Sequence, residues 1–280
     1  MSGWKYFRIL VVVTAITLGG SSCGTIRNLN LYSTSEEVQL GNALDKEIHK
    51  QMEMLGDARL DSFLNKRGQL LVEHCKRKDI SYHFVVVKDE TINAFAIPGG
   101  YCYVNVGLFR KSDSEGELIS VIAHEISHVT NQHSMKRLSQ ANLLGAISEA
   151  ALGNSGKTAT MAANLFTSTG MLYYSREAER EADRDGLLTM YESGYDPNCM
   201  VKMFEMLMSG REKEPSKWQN LFSTHPMTTE RIENAKQLIT QLPPKDGLIE
   251  NSPEWAGTIA YLREKYPPPP EEKEEEKKQE

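Results

Sequence analysis

The chain has 280 residues, with 32 Lys and Arg against 38 Asp and Glu, and a formal charge of −6. It carries no basic stripe, which argues against nucleic-acid binding. Without its two ends about 230 residues remain, enough for one domain with a real core.

Residues 1–22 read as an export signal. Lys5 and Arg8 precede an apolar run from Ile9 to Leu18, and Gly19, Gly20, Ser21 and Ser22 then lead to Cys23. A basic start, a short apolar stretch and small residues make a secretory signal, and the apolar run is too short for a comfortable membrane span. Cys23 resembles the lipidated cysteine of a bacterial lipobox, although Gly20 stands where that pattern usually has Leu. The expected organisation is a signal over 1–22, a linker over 23–33 after a lipidated Cys23, a catalytic domain over 34–266 and a tail over 267–280. The tail opens with Pro267–Pro270 and continues in Glu and Lys, a composition that stays solvated.

Between these ends, Thr34 to Met54 predicts a helix capped by Thr34 or Ser35, with Val38, Leu40, Leu44, Ile48 and Met52 as its apolar positions. A second helix is expected over 58–77. Ile80 to Val87 is β-rich. Thr91–Ile97 and Tyr101–Val106 flank Pro98-Gly99-Gly100 and read as a strand pair around a turn. A helix from about 113 to 132 follows, with Ser112-Asp113-Ser114-Glu115 as a capping-box start. Residues 135–152 and a stretch from about 158 read as helical, separated by Asn154-Ser155-Gly156. Tyr173 to Glu192 is strongly helical and ends at Gly194. Pro197 starts a short helix to about 208, whose Met200, Met203, Met206 and Met208 read as core filler. Thr228 to Gln241 is the last expected helix. Cys75, Cys102 and Cys199 allow one disulfide at most and read as buried small hydrophobes. The fold class is α+β, mostly helical, with a small β-sheet beside the helix of 113–132.

That helix carries the run His124-Glu125-Ile126-Ser127-His128. Two histidines four apart share one helix face, so both imidazoles can reach a single ion. Glu125 lies beside that ion, placed to accept a proton from attacking water. With 7 His and 38 Asp and Glu in 280 residues, chance supplies on the order of 0.02 such patterns. Leu118, Ile119, Val121 and Ile122 make one face apolar, as expected of a buried helix. His124 and His128 are therefore read as zinc ligands and Glu125 as the general base of a metallopeptidase.

A catalytic zinc usually has three protein ligands. The third is sought in Tyr174 to Asp183, where Glu177, Glu179 and Glu181 compete and spacing alone does not choose. Glu179 and Asp183 are four apart and share a face, which suits a ligand with a supporting carboxylate one turn on. Arg176, Arg180 and Arg184 also allow a solvated face of i,i+4 pairs.

Taken together, His124-Glu125-x-x-His128, Glu179-x-x-Ala182-Asp183 some fifty residues on, Asn93-Ala-Phe-Ala-Ile-Pro-Gly-Gly100, Tyr174-Ser175-Arg176 and Thr224-His225-Pro226 resemble the gluzincins of peptidase family M forty-eight. The resemblance covers roughly residues 34–240. It implies a zincin-like fold, one Zn2+ per chain, Glu179 as third ligand and Asp183 as the group that orients His124. The chain lacks the several membrane spans of the HtpX-like branch and the helical repeats of the BepA-like branch. It looks most like a short, exported, lipid-anchored member of the envelope-protease branch.

His225 and Arg231 are candidates to stabilise the oxyanion. His225 precedes Pro226, which restricts it to an extended backbone. It could donate to the oxyanion or bind zinc as a fourth ligand in a resting state. Arg231 reads as a salt-bridge partner, and His133, five residues past His128, as a structural side chain rotated off the metal face. No partner is assigned to His49, His74 or His83. The segment Asn93–Ile97, with Asn93, Ala94 and Phe95 at its start, is the candidate edge for an extended substrate.

The expected function is a zinc endopeptidase on the periplasmic side of the bacterial envelope, anchored by lipid to the outer membrane. Its partners would be misfolded or unassembled polypeptides and envelope assembly machinery. A chaperone-like assembly factor with a mostly closed metal site is the other reading. Glu125 beside both histidines favours the enzyme, and a third reading, a purely structural zinc site, has no use for Glu125.

Overall fold

The computed structural model describes residues 30–143, 174–213, 218, 221 and 224–268. The expected export signal, Cys23, residues 144–173 with their expected helices, and the tail from 269 on lie outside the described residues.

The first helix, α1 (Thr34–Gln51), starts at a cap one residue earlier than expected. Ser33 Oγ accepts the Glu36 N–H and the Glu36 carboxylate accepts the Ser33 N–H. The glutamate three residues on selects Ser33 as cap. Thr34 instead turns its hydroxyl to Asp79, 2.9 Å away. Upstream, the Leu31 N–H donates to Ser139 Oγ at 3.0 Å. Helix α2 (Ala58–Val72) is capped by Asp57 and ends five residues short of the expected 77. There Arg77 turns inward to pair with buried Glu37 at 2.9 Å and donates to the Val129 carbonyl.

Three strands follow: β1 (His83–Val87), β2 (Ala94–Ile97) and β3 (Tyr101–Asn105). Their order is β1-β3-β2, with β1 parallel and β2 antiparallel to β3. The β2–β3 turn uses Gly99 and Gly100 at φ +82° and +93°, which only glycine adopts without strain. Side chains alternate across the sheet. Phe84, Val86, Ala94, Ala96, Cys102 and Val104 enter the main core. On the other face Val87, Phe95, Ile97 and Tyr103 pack with Leu44 and Ile48 of α1. The sheet is thus covered on both faces, which explains strands with few polar positions.

A short helix the sequence did not suggest, α3 (Val106–Lys111), leads to the central one, α4 (Glu115–Thr130). The expected capping box lies two residues too early. Ser114 is the cap, accepting the Glu117 N–H, while the Ser112 hydroxyl donates to Leu108 O. Glu115 fixes this start from inside the core. It accepts from Tyr195 at 2.6 Å and from the Ser252 N–H at 2.9 Å, with Arg67 Nε 2.7 Å away. Gln132 at φ +54° reverses the chain into α5 (His133–Leu143).

Helix α6 (Arg176–Glu192) lies along α4, and α7 (Asn198–Lys213) and α8 (Thr229–Gln241) complete the packing around it. Met200 and Met203 are buried in the main core. A last helix, α9 (Trp255–Lys265), was not expected. It brings Trp255 against Phe63 and closes Tyr261, Lys265 and Tyr266 around Asp57. Cys75, Cys102 and Cys199 are free and buried. Among the described residues no helix is long and apolar enough to cross a membrane.

Candidate active site

Helix α4 is buried on nearly every side, so its polar residues meet protein rather than solvent. His124 and His128 stand one turn apart with their Nε2 atoms 3.0 Å from each other. Helix α6 can approach closely because Gly186 faces Ala123. A Cβ there would lie 3.1 Å from the Ala123 carbonyl carbon and the His124 nitrogen. Two turns earlier on α6, Glu179 then reaches the same point. Its Oε2 is 3.5 Å from His124 Nε2 and its Oε1 3.4 Å from His128 Nε2. His225, in the loop ahead of α8, places Nδ1 3.2 Å from His124 Nε2 and 3.0 Å from Glu179 Oε1. Donor atoms of all four side chains lie within 4.8 Å of one another.

This donor set fits zinc. Bonds of about 2.0–2.1 Å in a tetrahedron put neighbouring ligand atoms roughly 3.3 Å apart. The separations here run from 3.0 to 3.5 Å. Two imidazole nitrogens and a carboxylate converging in a buried space are the ligand types that zinc takes in catalytic sites.

The protonation states follow from burial and neighbours. Burial opposes the charge of Glu179, yet the charges of His225 and Arg231 and hydrogen bonds from His124 and His128 hold it well below the usual carboxylate range. Asp183 is likewise lowered against burial, chiefly by Arg231. Burial pushes His128 well down, so its imidazole is neutral and its lone pair free. His124 also feels burial, but Asp183 and Glu179 outweigh it and lift the imidazole to about 9 in the absence of a cation. Burial raises Glu125, partly offset by His225, His124 and the Ala96 backbone amide. A carboxylate raised in this way is a better proton acceptor.

The supporting residues divide between what the sequence indicated and what it did not. Asp183 Oδ1 lies 2.9 Å from His124 Nδ1, the position read for an orienting carboxylate. Arg231 forms the ion pair expected of it, donating to Asp183 through Nε and Nη2 at 2.7 and 2.6 Å. It also puts Nη1 2.9 Å from Glu179 and donates to the Pro226 carbonyl. His133 stays off the metal-facing donor set, as expected, and meets His128 from behind. Its Nδ1 is 2.8 Å from His128 Nδ1 and its Nε2 3.2 Å from Glu181. The reversal at Gln132 brings it back, which a helical wheel continued past Thr130 does not show. Tyr174, singled out by the family resemblance but given no role there, stacks on the His128 ring at 4.0 Å and bonds Ser134. Two histidines without assigned partners have them: His49 pairs with Asp45, and His83 stacks on Tyr101.

Strand β2 is an edge strand, and among the described residues nothing pairs with its free side. Its side chains are committed elsewhere: Ala94 to the main core and Phe95, stacked on Tyr103, to the other. Asn93 O accepts the Asn105 N–H, while Asn93 Oδ1 is buried without a hydrogen bond. The strand is nevertheless buried along its whole length, and its Ala96 backbone amide faces Glu125. On the opposite side of Glu125, a narrow recess is lined by Val121, Met203, Phe204, Leu207, Leu221 and Met227. Met203 thus lines this recess as well as filling the core. His225 closes over the base, its Nε2 3.3 Å from Glu125 Oε1.

Comparison with known proteins agrees with this geometry. The family model described as Peptidase family M48 matches residues 58–239. The chain is 29% identical over 257 residues to the beta-barrel assembly-enhancing protease of Escherichia coli (strain K12), covering 84% of this chain and 53% of that protein. It is 30% identical over 225 residues to the protein of that name in Yersinia pestis, covering 76% and 46%. It is also similar to the mitochondrial metalloendopeptidase OMA1 of Schizosaccharomyces pombe, at 27% over 228 residues, covering 78% and 66%. The chain spans about half the length of the bacterial relatives it matches.

Proposed function

The chain belongs to peptidase family M48, and on that premise we propose that it is a zinc-dependent endopeptidase of the bacterial cell envelope, hydrolysing misfolded or unassembled polypeptides. One observation carries the reading: His124, His128 and Glu179 converge at tetrahedral spacing beside a buried, raised Glu125. The names of the bacterial relatives, which place them with barrel assembly, support an envelope role.

In the proposed reaction His124, His128 and Glu179 hold one zinc ion. When bound, zinc polarises the scissile carbonyl and acidifies the attacking water. Glu125 accepts the water proton as the carbon–oxygen bond forms and passes it to the leaving amine. Asp183 holds His124 by its Nδ1, and Arg231 keeps both Asp183 and Glu179 ionised. The edge over Asn93, Ala94 and Phe95 is the proposed pairing site for an extended substrate, which would have to uncover the buried β2 to reach its backbone. His225 would hold the ion as a fourth ligand in the resting state. If it swung away from the metal it would be free to donate to the oxyanion instead.

Localisation is part of the proposal. Residues 1–22 direct export, and acyl chains on Cys23 hold the protein to the outer membrane from the periplasmic side, at about 0.8 kcal/mol per buried CH₂. The closure by His225 favours one further reading, a chaperone-like assembly factor whose metal site seldom opens.

The deciding experiment pairs metal analysis with cleavage of an unfolded casein-type polypeptide by the mature protein. The expected result is about one zinc per chain and cleavage lost in Glu125→Gln with zinc retained, since the amide cannot accept the proton. Undiminished cleavage in that variant would overturn the assignment of the base. A cell phenotype unaffected by Glu125→Gln would favour the chaperone-like reading.

A further inference from the structure

We propose that His133 and Glu181 form a positioning relay for His128, fixing its tautomer and ring orientation as Asp183 does for His124. The inference rests on the metal reading above, and extends it to two side chains outside the ligand set.

The argument is one of proton bookkeeping along a chain of contacts. A histidine that offers Nε2 to a cation must carry its proton on Nδ1. For His128 that N–H faces His133 Nδ1 at 2.8 Å. The same contact requires His133 Nδ1 to accept, so the His133 proton sits on Nε2. That N–H faces Glu181 Oε2 at 3.2 Å. Each member thus sets the state of the next, and the carboxylate at the end fixes the direction. With the His133 proton on Nδ1 instead, two N–H groups would face each other at 2.8 Å in a buried space.

Placement supports the same reading. His133 is 6% exposed, in a setting where an idle imidazole would cost desolvation. The left-handed residue Gln132 turns the chain back immediately before it. Tyr174, stacked on His128 and bonded to Ser134, holds the ring from its face while His133 holds it in its plane. Glu181 is about 38% exposed, and among the described residues its other oxygen has only a distant contact with Arg184, at 3.8 Å. The relay therefore runs from the buried ligand to the protein surface.

The test compares zinc affinity, measured by chelator competition, with imidazole tautomers read by long-range 15N–1H correlation on the zinc-loaded protein. In the wild type, His128 should carry its proton on Nδ1 and His133 on Nε2. Zinc affinity should fall roughly 10–100-fold in His133→Leu, the usual cost of losing such support. His133→Asn, which keeps an acceptor near the Nδ1 position, should recover most of that loss. Glu181→Ala should weaken zinc less than His133→Leu and loosen the His133 tautomer. Because Glu181 lies on the surface, this variant keeps the test open if His133→Leu does not fold. A proton on His133 Nδ1 in the zinc-loaded wild type would overturn the relay, as would unchanged zinc affinity in folded His133→Leu. Absence of zinc from the wild type would instead overturn the metal reading itself.

Discussion

Arg231 ties three parts of the site together. One buried guanidinium pairs with Asp183, lies 2.9 Å from Glu179 and donates to the carbonyl of Pro226 beside His225. Its planar fork suits several acceptors at once in a way a lysine could not. The ligands themselves should behave as a set: His124→Ala, His128→Ala and Glu179→Ala are each expected to lose the zinc, measured as metal content after dialysis. Normal retention in Glu179→Ala would return the third ligand to Glu177 or Glu181. Asp183→Asn should be milder, weakening zinc about 10–100-fold, because the amide can still face His124 but no longer balances Arg231. The two histidines and Glu125 were legible in the sequence because a four-residue spacing is a local geometric fact. Glu179 required the family resemblance, since three glutamates on one helix are equivalent until a partner helix is placed. His133 lies off the metal face as read, but its contact with His128 was not foreseen because that depends on where α4 stops.

Helices α4 and α6 form the frame in which these side chains meet, and Gly186 sets their separation. Gly186→Ala would gain about 1 kcal/mol of helix propensity. It would also place a methyl 3.1 Å from the α4 backbone, and such overpacking costs about 1–3 kcal/mol. The steric cost wins because the neighbour is backbone rather than a flexible side chain. Glu179 lies two turns away on the same face, so the outward shift should lower both the Tm and zinc affinity. A variant with wild-type affinity would show that the helix contact does not set the ligand position. The elements were read correctly from periodicity wherever a long amphipathic run existed. Their ends were less legible: caps shifted by one or two residues, because several Ser and Asp stood in line and long-range partners such as Glu115 with Ser252 chose among them. Helices α3 and α9 escaped notice, one for its brevity and the other because its capping residue Glu254 gives no side-chain cap.

At the scale of the molecule, the three-layer arrangement of α1, sheet and helices was legible only as a fold class, because the order β1-β3-β2 leaves no trace in a single strand's pattern. The proposal that Cys23 carries acyl chains gives a prediction at this scale. The wild-type protein should fractionate with membranes, and Cys23→Ser should release it to the soluble envelope fraction or leave it uncleaved. Intact-mass analysis of the mature N-terminus checks this directly, and an unmodified Cys23 would remove the anchor from the account.

The bond from the Leu31 N–H to Ser139 bears on what such an anchor would permit. Six residues lie between Cys23 and Asn30, so seven Cα–Cα steps join them. Fully stretched, they reach roughly 25 Å. A domain of about 230 residues is itself some 35–45 Å across, from a radius of gyration of about 17 Å. The leash is shorter than the body it holds. An anchored molecule could roll against the bilayer but could not search the compartment, and its substrates would be the chains that come to the membrane surface. Loop length, rather than the chemistry of the zinc centre, would then decide which unfolded proteins it meets.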